Sequence, residues 1–387
     1  METVSVRKEP SLAEAFSGDI AEFYTDLLGK DPAVLDYYTR QGLQCLEDAF
    51  AIANIFHTNR NVEEASYFYG LAYRMHSGDP GHYPQAQALL QARLLCFLKA
   101  GKAVPAEELE TLKRISTPYA NYIGGISQAW RDADVDGGLR RIGNAFEEFH
   151  TGEEIDRLYL ELALRASPQV FFAEKEPEQK SIPNKLFMFW DKNPPPEIQE
   201  NIAFHEDLDG IEFRLFDYTE AAAWLYENYG REARDLFLAA RHPAEAADFL
   251  RVHVIHAYGG WWIDADIRLR GAEAVDFLKS QSSRHSFFLT QNYVVHNDLY
   301  GAVAGSEILA DCLLSLYRNS YLHRDLFIAY KTGPGIFNRA LSRMIHRKLN
   351  DTPMTQTLDI HDSETFDRVI EQFNAPYQYA MPHWQAS

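Results

Sequence analysis

The spacing of apolar residues changes partway along the chain, and the change divides it. Across 11–172 they recur every three or four positions, the period of helices with one buried face. Asp31-Pro32 supplies an N-cap followed by proline at the first helical position, and predicts a helix running towards Phe56. Asn61 with Glu64 reads as a capping box for a helix carrying Tyr67, Phe68, Leu71, Ala72 and Met75. Another helix from Pro84 packs Leu89, Leu90, Leu94 and Phe97 and stops at Gly101, and Pro105 opens the next. Short connections predict antiparallel helical hairpins set side by side. The stretch 65–102 is weakly TPR-like, without repeats of fixed period.

After a polar, proline-containing stretch at 174–181 the pattern shortens. The run 186–190, bounded by proline and by Asp191-Lys192-Asn193, predicts a buried strand, and 212–216 predicts a second. Thr219 is placed to cap a helix through Tyr226 that Gly230 ends. Further on, 286–289 is strand-like, 307–317 is helical, and 332–335 is a turn that begins another helix. Strands alternating with helices imply an α/β, Rossmann-like domain with a mostly parallel sheet. The expected organisation is an all-α helical domain at 1–173, a linker at 174–181 and the α/β domain at 182–387.

One stretch carries charge beside a very apolar segment. From Asp248 to Arg268 a helical pattern breaks at Gly259-Gly260 and becomes a short apolar run, Trp261-Trp262-Ile263, that meets Asp264 and Asp266. Asp248 and Arg251 share a helix face at that spacing. The strand is expected to end in these two acids, which puts Asp264 and Asp266 on one of its sides. A D-x-D pattern is weak alone. Asp132-Ala133-Asp134, Asp134-Val135-Asp136 and Asp207-Leu208-Asp209 also fit it, in polar, turn-like surroundings that read as solvated acids. Only the pair at 264 and 266 follows an apolar run, and strand ends in open α/β sheets are where ligands bind.

Two acids there suit a divalent cation, Mn²⁺ or Mg²⁺, with a diphosphate filling the remaining positions. Without it, a carboxylate ~4 Å from a phosphate charge is repelled by about 4 kcal/mol at an effective dielectric of 20. The formal net charge of −19 sharpens that need and argues against nucleic acid as a partner, since no basic patch offsets it. In 387 residues, 46% apolar and 13% aromatic, two ordinary cores fit, and the composition argues against disorder. Cys45, Cys96 and Cys312 are widely spaced within apolar helical patterns and read as reduced core thiols. No signal-type core opens the chain and no apolar run reaches spanning length, so no integral membrane segment is expected. The expected setting is cytoplasmic, with a peripheral place at a membrane as the variant.

Three pieces together resemble the GT-A glycosyltransferases with a sugar-binding DXD region. That group includes bacterial polysaccharide transferases, yeast-type α-mannosyltransferases and, more distantly, the large glucosylating toxins. Ile182-Pro183 with Trp190 fit its I-P-K-x-I-H-x-x-W piece. Ala247-Asp248-Phe249-Leu250-Arg251 fit A-x-x-S-D-x-x-R, and Gly259 to Asp266 fit G-G-x-Y-x-D-x-D. The resemblance covers 181–387 and leaves the helical half outside. It implies transfer of a sugar from a nucleoside-diphosphate donor (a UDP- or GDP-sugar) to a glycan or protein acceptor. It also implies retention at the anomeric carbon, by front-face departure and attack, and a place in polysaccharide biosynthesis. Trp190 would stack on the base, and Asp248 and Arg251 would bind sugar hydroxyls and the diphosphate side. Asp264 would face ribose and sugar, and Asp266 would be the main metal ligand. Trp262 stands where the family has tyrosine, and Asn297 matches an asparagine near the donor sugar. His383 and Ser387 match an H-x-x-x-S-W ending that closes over the diphosphate, with His383 completing the metal shell.

Two rivals compete. A phosphoryl-transfer hydrolase using D-x-D wants a small residue where this chain has Arg268, and does not require Asp248 and Arg251. A helical-repeat adaptor carrying an inactive transferase domain is the other, although all four polar donor-site positions hold competent residues. On either reading of the second half, the N-terminal helices read as a bundle capping the enzyme or as a platform for the acceptor, a protein partner or self-association.

Overall fold

The structure, a computed structural model, describes residues 26–79, 81–150, 154–166, 181–350, 357–373 and 376. It forms two compact units, Met1–Glu148 and Phe149–Ser387. The expected linker at 174–180, and His383 and Ser387, lie outside the described residues.

The first unit is all-α. Its helices are α1 (Pro32–Gln41), α2 (Leu46–Thr58), α3 (Val62–Met75), α4 (Ala86–Lys99), α5 (Ala106–Ile115), α6 (Thr117–Arg131) and α7 (Val135–Ile142), followed by a 3-10 turn, Ala145–Glu148. Each packs on the next, as short connections predict. Ile52, Phe56, Phe68, Leu71 and Leu89 sit in its buried core. Asp31 caps α1 as expected, accepting from Ala33 N at 2.9 Å. Two expectations fail here. The helix towards Phe56 is two helices, because Gly42 takes a φ of 81° and ends the first. Asn61 makes no capping box. Its amide instead donates to Asp31 Oδ2 at 3.0 Å, a buried acid whose demand outweighs the cap. All three cysteines are free thiols, but Cys45 is exposed rather than core.

The second unit begins earlier than the pattern suggested. Helix α8 (Glu154–Ala166) belongs to it, because Asp156 is fully buried against Arg339, whose Nε donates to both carboxylate oxygens at 2.9 and 3.0 Å. Arg339 Nη2 also donates to the carbonyls of Phe149 and His150. A charge buried that deeply needs its partner in the same core, so the boundary falls before Phe149, not at 173.

Then follow β1 (Lys185–Phe189), α9 (Pro196–Glu206), β2 (Glu212–Phe216), α10 (Tyr218–Tyr229), α11 (Arg231–Leu238), α12 (Pro243–Tyr258), β3 (Gly260–Ile263), β4 (Ile267–Leu269), α13 (Gly271–Ser280), β5 (His285–Phe288) and β6 (Leu299–Ala302). The chain continues through α14 (Glu307–Leu322), α15 (Ile328–Lys331), α16 (Pro334–Leu349), β7 (Leu358–His361), α17 (Ser363–Val369) and β8 (Ile370–Gln372). Asp217, not Thr219, caps α10, since its side chain reaches Glu220 N at 2.8 Å.

The main sheet has the order β2-β1-β3-β6-β5-β7, and β4 and β8 form a separate ribbon. Strand β1 pairs parallel with both β2 and β3, and β6 alone runs against its neighbours. The sheet is therefore mostly parallel, as alternating elements predict. Leu186, Met188, Trp261 and Ile263 turn to one face, where Ile198, Val275 and Leu278 cover them. Phe287 and Tyr300 meet Phe337 of α16 on the other. Both faces are covered at the centre of the sheet, which is why β1 and β3 read as apolar runs.

Candidate active site

The order β2-β1-β3 makes the site. The chain leaves β1 towards β2 on one side and returns to place β3 on the other, so their carboxyl ends form a topological switch point. Trp190 follows β1 there and Asp264 follows β3. Because β6 runs the opposite way, its start brings Asn297 and Asp298 to the same end, and Asp264 N donates to the Asp298 carbonyl at 2.9 Å.

Two glycines set this corner. Gly259 ends α12 at a φ of 64°, and a Cβ on it would lie 2.6 Å from Ala304 N. Gly260 opens β3 at a φ of 117°, where a Cβ would lie 2.8 Å from the Lys185 carbonyl. Any side chain there would be strained and would also push β1 away.

Four polar residues close into one network. On α12, Asp248 and Arg251 sit one turn apart and pair at 3.2 Å, as their spacing predicts, but the pair is buried rather than at the surface. Arg251 Nη2 donates to Asp264 Oδ1 and Oδ2 at 2.9 and 3.1 Å, and its Nη1 donates to the Asn297 carbonyl at 2.6 Å. The Asn297 amide donates to Asp248 Oδ1 at 2.9 Å. Trp262 is fully buried, lies under the guanidinium at 5.5 Å, and donates from its indole nitrogen to Asp264 Oδ1 at 2.7 Å. The tryptophan at this position thus keeps a polar link to the acid.

Burial pushes the Asp248 carboxyl up to about 6, against the pull of Arg251, Thr332 and Asn297. Burial raises Asp264 further, to about 8; Arg251 opposes this, and the charges of Asp266 and Asp298 add to it. Burial also disfavours the Arg251 charge, but Asp264 and Asp248 outweigh it and hold the guanidinium above its ordinary value. Asp264 is the more open of the two acids, with 23% of its side chain exposed against 8% for Asp248.

One expectation about the acids is corrected. Strand β3 ends at Ile263, and 264–267 is a turn closed by Ile267 N on the Asp264 carbonyl at 3.3 Å. Period-two alternation therefore does not orient Asp264 and Asp266. A turn holds them together at the strand end. Their oxygens are the hard ligands that Mg²⁺ or Mn²⁺ takes. Among the described residues no group of three or more His, Cys, Asp or Glu could hold a metal ion. The donor set here is thus of the sparse kind that takes one or two carboxylates and leaves the rest to phosphate and water. Burial is the main cause of the rise at Asp264, and the smaller repulsion from Asp266 and Asp298 is a charge excess that a cation would neutralise, so the residues fit one.

Trp190 is half-buried, and its Nε1 donates to the Lys192 carbonyl at 3.0 Å. Three neighbours adjoin the network, and of these the sequence pattern missed Thr332. Thr332 donates to Asp248 Oδ2 at 3.0 Å, Asp298 pairs with His296 at 3.1 Å, and Tyr300 is fully buried with its hydroxyl unpaired. Thr332 stood in a Thr-Gly-Pro-Gly turn, and nothing in the sequence linked that turn to residue 248.

No protein-family model matches the chain, and no curated protein does. Among solved structures it is similar to the PaToxG glycosyltransferase, at 16% identity over 58% of this chain and 94% of that one, with a TM-score of 0.35. So low a score carries no argument, and the reading below rests on the site. Among the described residues no helix is long and apolar enough to cross a membrane.

Proposed function

We propose that the second unit is a GT-A-type glycosyltransferase that moves a sugar from a nucleoside-diphosphate donor to a glycan or protein acceptor. The observation that carries this is the closed network of Asp248, Arg251, Asp264 and Asn297 at the carboxyl ends of β1 and β3, with Trp190 at the same switch point. A helix pair, a strand-end acid and a loop asparagine are drawn from three separate segments into one site. A surface ion pair or a purely structural D-x-D requires no such convergence.

In this reading Trp190 stacks on the nucleobase. Arg251, charged at any working pH, orders both acids and faces the diphosphate side of the sugar. Asp248 and Asp264 accept from sugar and ribose hydroxyls. Both acids are already held by donors from neighbouring residues, which suits orienting a sugar rather than attacking it. Asp264 gives most of its lone pairs to Arg251 and Trp262, and the family resemblance gives Asp266 the part of principal ligand of Mn²⁺ or Mg²⁺. Such a cation would take up the negative charge developing on the leaving diphosphate.

A panel of UDP- and GDP-sugars, assayed with Mn²⁺ for transfer and for slow hydrolysis, tests the reading. One donor should be turned over, and Arg251→Lys should abolish it because lysine cannot hold two carboxylates and a carbonyl at once. Nucleotide binding without any turnover would instead favour an adaptor built on an inactive transferase unit.

A further inference from the structure

Asp248 is fixed from several sides, and one hold comes from a segment that no motif assigned to the site. Its Oδ1 takes the Asn297 amide and faces Arg251. Its Oδ2 accepts from the hydroxyl of Thr332 at 3.0 Å, and Thr332 is 1% exposed. The segment leading to Thr332 is fastened along its length. Arg241 donates to the Leu326 carbonyl at 3.2 Å, and Asn319 Nδ2 donates to the carbonyls of Tyr330 and Lys331 at 3.2 and 2.9 Å. Lys331 pairs with Glu245, one turn before Asp248 on α12, and both are buried. At Gly333, a Cβ would stand 2.9 Å from Ala329 Cα and 3.3 Å from Asp248 Oδ2, so the backbone meets the carboxylate with little space left for a side chain.

We infer that Thr332 is a positioning residue for the donor sugar, its hydroxyl fixing the orientation in which Asp248 meets the sugar. This rests on the donor-site reading above. A hydroxyl bonded to a charged acceptor is stronger than a neutral pair, and threonine's branched Cβ presets the direction in which that hydroxyl points. Asn297 alone would hold one oxygen and leave the carboxylate free to turn. With Thr332 on the second oxygen, the plane of the group is set before the sugar arrives, so the ordering cost is not met at binding.

The test compares Thr332→Val, which keeps the shape and removes the donor, with Thr332→Ser, which keeps the donor. For each, KM for the nucleotide sugar, the Kd of the matching sugar-free nucleoside diphosphate with Mn²⁺, and Tm are measured. Thr332→Val should raise KM about tenfold, the worth of one hydrogen bond to a charged group. It should leave the Kd of the sugar-free nucleotide unchanged, and Thr332→Ser should restore KM. A wild-type KM in Thr332→Val overturns the inference. So does a KM that rises only in step with the nucleotide Kd and a lowered Tm in both variants, which marks a purely structural threonine. A wild-type protein that binds no nucleoside diphosphate removes the donor-site reading, and this inference with it. Wild-type turnover with an unaffected Thr332→Val removes this inference alone.

Discussion

Asp264-Ala265-Asp266 and the overlapping acids Asp132, Asp134 and Asp136 share one spacing and live in opposite surroundings. Asp134 is exposed and caps α7. It accepts from Gly137 N at 2.9 Å and from Gln128 Nε2 at 2.7 Å, and these bonds hold its carboxyl below the ordinary value. Asp264 is drawn in behind a buried strand, bound by an arginine and a tryptophan, and pushed up to about 8. One acid is spent on a backbone end that folding would otherwise leave open. The other is kept at a cost to folding, which the proposed ligand would offset. Spacing of acids therefore says little by itself, whereas the apolar run before them and the cation beside them say a great deal.

The comparison breaks most sharply at Arg251. Arg251→Ala leaves two acids without their shared cation. By the usual cost of breaking a buried pair it should destabilise the second unit by about 3–5 kcal/mol in urea unfolding, with donor turnover lost. A loss comparable to that of an exposed arginine would mean that the network contributes little.

Acid–base linkage should separate the two regions by sign. Folded Asp248 holds its proton up to about 6, while an ordinary aspartate releases it near 3.8. The stability this group contributes is therefore full below about 3.8 and is lost as pH rises through about 6. Asp134 is shifted down, so its contribution is present above 3.8 and is lost as pH falls through its lower folded value. Urea unfolding of Asp248→Asn against wild type between those pH values checks the first. The wild type should lose stability relative to the variant as pH rises from about 4 to about 6. The opposite slope contradicts the assignment.

The smallest effect belongs to Asp134→Ala. Helix α7 loses its cap and Tm falls slightly, while the nucleotide and metal response stays at the wild-type level. A changed nucleotide response would show that the exposed acids are more than caps.

Much of this was legible in the sequence, and what was not has a physical reason. The strand at 212–216 was readable from its alternation of polar and apolar residues, and the helix–glycine–strand corner because burial on both faces leaves the apolar run 261–263 and close backbone approach demands Gly259 and Gly260. Asp248 and Arg251 were readable as a pair from helical spacing. Their burial was not, because it depends on Asn297 and Asp264 arriving from distant segments. Thr332 was invisible as a site residue for the same reason: its hydrogen bond spans 84 positions. The boundary before Phe149 was hidden because α8 has the same helical period as the unit preceding it, and the bonds of Arg339 to Asp156, Phe149 and His150 assign it. The turn at 264–267 was misread as strand because nothing in Asp-Ala-Asp marks where pairing with β6 stops.

The central claim is that Asp264 and Asp266 bind a nucleoside diphosphate through a divalent cation, and thermal unfolding with UDP or GDP, with and without Mn²⁺, tests it most directly. Wild-type protein at a ligand concentration of about 100 Kd should gain ~2.7 kcal/mol, only when Mn²⁺ is present, and Asp266→Ala should show no such gain. Equal protection of Asp266→Ala, or protection of the wild type that ignores the metal, would contradict the account.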